Sequence, residues 1–221
     1  FTHNAPKNVD YLLLEGTSLG RGSKAFKTEW EIENDLTKMF RIKDKSNIVY
    51  TSGQNIDRIV SIFRACIRTG KVLVVDVYVA TILKELSPFA KIPYPSKTFK
   101  NVKVLYPYYS ARRLKNQGDE KVLYRFKNYK ITKDEISNQP HDYVLLVRPS
   151  MQKDLERISG IDGGNLIYSM WSGYKSKPGT KKFFEYFNSR GFTLHEIHTS
   201  GHADITTLKK MIEAVQPKSI I

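Results

Sequence analysis

The segment Val72 to Val77 most constrains the fold, because it is apolar but for Asp76 and shows no polar alternation, set directly behind an amphipathic helical pattern. A strand exposed on one face alternates in polarity; a strand buried on both faces does not, and that pattern belongs to parallel sheets covered by helices. Ahead of it, Ile56, Ile59, Val60, Phe63 and Ile67 recur on one helical face, and Gly70 ends the helix. A strand at Asn47 to Thr51 precedes this helix, so the segment reads strand, helix, strand. The alternation continues along the chain. Val79 to Leu86 is a short helix, and Val102 to Tyr106, Tyr143 to Val147 and Leu166 to Ser169 are strands. A helix from Lys181 to Arg190 stops at Gly191, and the strand Phe192 to His198 leads to a helical pattern starting near Ile205. Upstream, Tyr11 to Glu15 reads as a buried strand, residues 20 to 27 as a mobile loop, and Thr28 with Glu31 as a capping box opening a helix to about Phe40. Strands alternating with helices at these lengths predict an α/β fold with a mostly parallel sheet flanked by helices.

The 221 residues allow one large or two small domains with real cores. Lys and Arg number 36 against 22 Asp and Glu, a net charge of +14. That excess favours a polyanionic partner, and nucleic acid ahead of a membrane, since no basic amphipathic helix carries a strong apolar face. Charge serving solubility alone is the plainer reading. The excess concentrates in residues 97 to 133, which hold eleven Lys or Arg and two acids, interleaved with Tyr106, Tyr108, Tyr109, Tyr124 and Tyr129. Exposed Tyr rings can stack on bases while the cations meet phosphates; alternatively, the rings cover a small core. No apolar run approaches the roughly 20 residues of a membrane span, and no signal-peptide pattern opens the chain. Cys66 is the single cysteine, so no internal disulfide forms. It reads as a structural thiol in a reducing, cytoplasmic setting.

Three small-residue turns fall where strands end and helices begin: Glu15-Gly16-Thr17-Ser18, Thr51-Ser52-Gly53-Gln54-Asn55 and Thr199-Ser200-Gly201-His202. Parallel strands bring their carboxyl ends to one edge, where ligands bind and helix amides face anions. The last turn is the most specific, because imidazole can carry a proton near neutral pH. Glu15, at the end of an apolar strand, is expected near the core. There it either orients a His, or caps a helix, or makes a salt bridge. His198 reads as packing at a strand end, and His3, His141 and His195 as surface or structural residues. No zinc motif can be assembled: there is one Cys, no His-x-His and no His-Glu-x-x-His.

Four segments together resemble the β-CASP group of metallo-β-lactamase-fold nucleases, with ribonuclease J-like bacterial metallo-hydrolases the nearest in feel. Tyr11-Leu-Leu-Leu-Glu15-Gly-Thr is similar to a strand ending in an acid followed by Ser or Thr. Thr51-Ser-Gly-Gln-Asn55-Ile-Asp-Arg58 resembles the opening of the inserted β-CASP domain. Leu166-Ile-Tyr-Ser169 resembles a strand whose terminal Ser faces the substrate cleft, and His198-Thr-Ser-Gly-His202-Ala resembles the second β-CASP motif. The resemblance spans about Val9 to Ile221. It implies a flanking piece of metallo-β-lactamase domain at 1–27, a β-CASP domain at 28–192 and a return into the first domain at 193–221.

The family binds two zinc ions through a His-x-His-x-Asp-His motif, a bridging Asp and two further His, and none of these is present. The resemblance therefore implies an excerpt that holds no metal alone and does not hydrolyse alone, with two zinc ions bound in the intact parent. In that parent, Glu15 would hold His202, and His202 would stabilise or protonate the leaving oxygen. Thr199, Ser200 and Gly201 would sit against the phosphate. Thr17 belongs to the same substrate-binding set, with Ser52, Asn55 and Ser169 lining a cleft between the domains and Arg58 touching the backbone of single-stranded RNA. The resemblance leaves room for a homodimer. Two other functions stay open: a non-catalytic nucleic-acid-binding module, and a metallo-hydrolase of the same fold acting on a non-nucleic substrate.

Overall fold

A computed structural model describes residues 3–17, 19, 26–199 and 201–221. The expected loop at 20–27 falls largely outside them. The chain divides into two compact units, Glu29–His198 and the pair of segments 1–28 and 199–221.

In the smaller unit, β1 (Tyr11–Leu12) pairs in parallel with β8 (Ser219–Ile220). Asn8 donates to Val215 O and Lys218 to Val9 O, both at 2.9 Å, extending the contact ahead of the two strands. The expected buried strand Tyr11 to Glu15 is thus shorter and more open. Tyr11 is 65% and Leu13 75% exposed, since β8 is the one strand beside β1 among the described residues.

The larger unit opens with α1 (Glu29–Phe40) and continues through β2 (Asn47–Tyr50), α2 (Ile56–Thr69), β3 (Val72–Asp76), α3 (Val77–Leu86) and β4 (Val102–Leu105). Next come α4 (Tyr108–Asn116), α5 (Glu120–Tyr124), α6 (Lys133–Asn138), β5 (Tyr143–Val147), α7 (Gln152–Leu155), β6 (Asn165–Tyr168), α8 (Pro178–Ser189) and β7 (Thr193–Glu196). The chain then returns to the smaller unit, where α9 (Ile205–Val215) precedes β8.

The β2 to β7 strands form a six-stranded sheet in the order β4-β3-β5-β2-β6-β7, parallel throughout. The α/β class with a parallel sheet flanked by helices is therefore present. Side-chain alternation along each strand explains the apolar runs. Val49, Val144, Leu146 and Ile167 enter one core with α1, α2 and α3; Ile48, Tyr50, Leu145, Val147 and Tyr168 enter the other with α6, α7 and α8. With helices on both faces, neither alternate set can be polar.

Local chemistry sets the boundaries. Asn55 caps α2, its Oδ1 accepting the Arg58 amide at 3.1 Å, and Gly70 ends that helix at φ +68°, a conformation that favours glycine. Asp76 closes β3 and caps α3 by accepting the Val79 amide at 2.9 Å. The Thr193–Glu196 strand, expected in the returning piece, instead pairs with β6, so the crossing to the smaller unit falls after His198. The basic region 97–133 contains β4, α4 and α5. Tyr106 and Tyr129 pack on the core there, whereas Tyr108, Tyr109 and Tyr124 are exposed. Cys66 is fully buried, and burial pushes its thiol up, as a structural role requires. No helix among the described residues is long and apolar enough to cross a membrane.

Candidate functional site

The smaller unit brings Glu15 and His202 together. Leu14 donates to Ile221 O at 2.9 Å and so fixes the chain just before Glu15. Asp204 caps α9 by accepting the Thr207 amide at 2.7 Å, which fixes the chain just after His202. Between these anchors, the Glu15 Oε2 meets Nδ1 of His202 and Oε1 accepts the Ala203 amide at 2.9 Å. Thr17 adds a side-chain hydrogen bond to the same carboxylate.

Desolvation works against ionisation of Glu15, but the bonds from His202, Ala203 and Thr17 outweigh it and hold the carboxyl below its usual range. An ionised carboxylate accepts the hydrogen of Nδ1, which directs the chemistry of the imidazole to Nε2. Both side chains are partly exposed, at 37% for Glu15 and 47% for His202, so water and a ligand can reach the pair. Glu15 is therefore at the surface, not near the core as its strand suggests, because β1 has little covering it. A carboxyl with a lowered folded-state value contributes stability that is full above its unfolded value and is lost as pH falls through the folded one. NMR titration of the Glu15 carboxyl is expected to give a midpoint below that of an ordinary glutamate; an ordinary or raised midpoint would remove the pairing.

The surrounding turn is less open to an anion than its sequence suggests. The amides of Ala203 and Thr207 already face carboxylates. The Thr199 hydroxyl, expected against phosphate, donates to the Lys27 carbonyl and braces the turn. Thr17, expected to bind substrate, turns to Glu15 instead. Gly201 is exposed and a Cβ there would meet nothing within 4 Å. Ser200 lies outside the described residues.

The remaining candidates sit in the larger unit, at the carboxyl edge of the sheet. Ser52 is exposed, and its hydroxyl accepts the Gln54 amide at 3.3 Å. Asn55 spends its side-chain oxygen on the α2 cap. Arg58, expected as a backbone contact, is fully buried. Its guanidinium binds Glu29 through two hydrogen bonds of 3.1 and 2.9 Å and also donates to Ser169 Oγ and, at 3.4 Å, to Ile197 O. Ser61 adds a 2.8 Å bond to the Glu29 carboxylate. Desolvation opposes ionisation of Glu29, yet Arg58 and Ser61 hold its carboxyl low. Ser169, expected to face a cleft, is buried and donates to Ile197 O at 2.5 Å. Both corrections share one cause. The donors of Arg58 and the proton of Ser169 are committed to the protein's own oxygens, so these residues hold the framework.

His198 stands beside this network. Burial lowers its basicity and the Arg58 charge lowers it further. His195 bonds the Asn165 amide oxygen at 3.1 Å, an interstrand role.

Sequence reasoning missed Glu29, Asp76 and Arg148. Arg148, just past β5, pairs with the buried Asp76 and lies 4.8 Å over the Tyr78 ring. The available signal was an acid ending an apolar strand before a helix. A pocket of about 350 Å³ lies beyond β4, lined by Tyr106, Thr132 and Asp134 together with Lys130, Lys133 and Arg157. Within it Lys133 pairs with the buried Asp154 at 2.7 Å. Among the described residues no three His, Cys, Asp or Glu side chains gather as a metal site.

No family model and no curated protein matches this chain.

Proposed function

We propose that the chain is the β-CASP part of a metal-dependent nucleic-acid phosphodiesterase, a ribonuclease gripping single-stranded RNA, with metallo-β-lactamase strands in its smaller unit. The observation that carries this reading is the Glu15–His202 pair, an ionised carboxylate holding one imidazole nitrogen of a solvent-reachable His. Such a pair delivers a proton to a leaving oxygen through the other nitrogen. The two zinc ions of the family would polarise the scissile phosphate in the intact parent. The resemblance puts their ligands outside this chain and leaves the chain proton handling and grip.

The charge of +14 and the exposed Tyr108, Tyr109 and Tyr124 on a basic surface support nucleic acid as the ligand. The same exposed rings favour the second reading, a nucleic-acid-binding module without chemistry. Two measurements separate the readings. Binding of a single-stranded RNA to this chain is expected to weaken steeply with salt, the log–log slope being about −0.7 per phosphate neutralised; a flat response removes nucleic acid as the ligand. Cleavage of the same RNA by the parent protein is expected to require His202; binding with no cleavage leaves the module.

A further inference from the structure

Immediately past β6, the chain builds a rigid aromatic corner that the Glu15–His202 pair does not use. Trp171 is 52% and Tyr174 37% exposed, and their rings meet edge to face at 5.3 Å. The corner is anchored from below. Tyr168, buried at the end of β6, donates its hydroxyl to Trp171 O at 2.8 Å. The Tyr174 amide donates to the same carbonyl at 3.1 Å, and Ser176 closes the turn on Gly173 O at 2.9 Å. The indole is seated on Gly173: a Cβ there would lie 2.3 to 2.6 Å from three atoms of its six-membered ring. A tryptophan that is fixed in place yet half open to water has area to offer a planar ligand at little ordering cost.

The segment that forms the corner carries charge of one sign. Residues 169 to 184 contain Lys175, Lys177, Lys181 and Lys182 and no Asp or Glu. Lys177 Nζ lies 4.2 Å from the centre of the Tyr174 ring, while Lys175 pairs with Glu196 of the neighbouring strand. Helix α8 begins here without an acid in its first turn, where acids ordinarily favour a helix. Aromatic faces beside cations suit a ligand that alternates flat rings with negative charges.

We propose that Trp171 and Tyr174 form a base-stacking platform for single-stranded nucleic acid, with Lys177, Lys181 and Lys182 meeting the adjoining phosphates. This rests on the nucleic-acid reading above and adds a place where bases are gripped without sequence preference. The Thr51 hydroxyl bonds Ser169 O at 2.9 Å, so the platform follows directly on the edge that carries the Ser52 turn.

The chain has two tryptophans, so Trp30→Phe leaves Trp171 as the sole indole reporter. The probes are an eight-nucleotide oligouridylate and an abasic sugar-phosphate oligomer of the same length, titrated into the 221-residue chain at low salt. The oligouridylate is expected to quench Trp171 emission, and the abasic oligomer to bind by charge without quenching. Replacing Trp171 by Ala is expected to weaken the oligouridylate about tenfold and leave the abasic oligomer unchanged, while Trp171→Phe keeps most of the affinity. Binding of both oligomers without quenching, with Trp171→Ala at parental affinity, overturns the platform and leaves the nucleic-acid reading standing. Failure of both oligomers to bind overturns the two together.

Discussion

The His202→Ala replacement in the parent protein is expected to lower the rate of RNA cleavage by about 10²- to 10⁴-fold, the usual contribution of a positioned general acid or base. The fold should scarcely notice. The side chain is 47% exposed, and surface replacements of this kind stay within about 0.5 kcal/mol. Glu15→Gln should fall in between, because an amide can keep the bond to Nδ1 but cannot stabilise an imidazolium by charge. The sign of the pH effect follows from the same pair. Glu15 is held in its ionised form to lower pH than an ordinary glutamate, so cleavage should survive mild acid until that carboxyl is protonated. Single-turnover cleavage, with thermal unfolding measured alongside, is the test. Full turnover by His202→Ala would end the assignment, and a loss of rate matched by a loss of folded protein would reduce it to a structural contact.

The second large effect is on stability. Arg58→Met is expected to destabilise the larger unit by about 3 kcal/mol in urea unfolding, the lower end for a broken buried ion pair because Glu29 is 34% exposed. Three losses combine: the Glu29 carboxylate keeps its charge with the Ser61 bond but no counter-ion, Ser169 loses a donor, and so does the carbonyl of Ile197. A domain of this kind has a total stability on the order of 5–15 kcal/mol, so the change is large. The double replacement Arg58→Met with Glu29→Leu should recover part of the loss, since removing both charges leaves no uncompensated ion. A single replacement costing under 1 kcal/mol would show that the network is incidental.

These two residues also mark where sequence reading succeeds and where it stops. The strands β3 and β5 were legible because a sheet covered on both faces favours apolar residues at successive positions. The contact between Glu15 and His202 was expected from the resemblance alone, and the exposed position of Glu15 was not expected at all, since an apolar run at a strand does not tell how little covers it. Helices α4 and α5 were not legible, since they run only 9 and 5 residues and neither holds a buried residue. Arg58 was misassigned for a different reason. A cation on an amphipathic helix ordinarily faces water, and its counter-ion lies 29 residues away in sequence. Arg148 and Asp76 show the same limit: pairing between ends of neighbouring strands exists only once the sheet order is known.

The buried arginine has one more consequence, for how such a chain assembles. Glu29 is the first residue of the larger unit and Ile197 its penultimate one, and Arg58 is bonded to both. It therefore pins together the points where the polypeptide enters and leaves that unit. The smaller unit is made from segments whose partners, such as Asp10 and Lys218, are 208 positions apart. Joining such distant segments from a disordered chain carries a length-dependent entropy penalty of about 4.7 kcal/mol. Once the larger unit has folded and its two ends are clasped, most of that penalty has already been met by its own core. The smaller unit then needs only to zip up two tethered segments, so weakening the clasp at Arg58 should slow the last step of folding as well as loosen the domain that contains it.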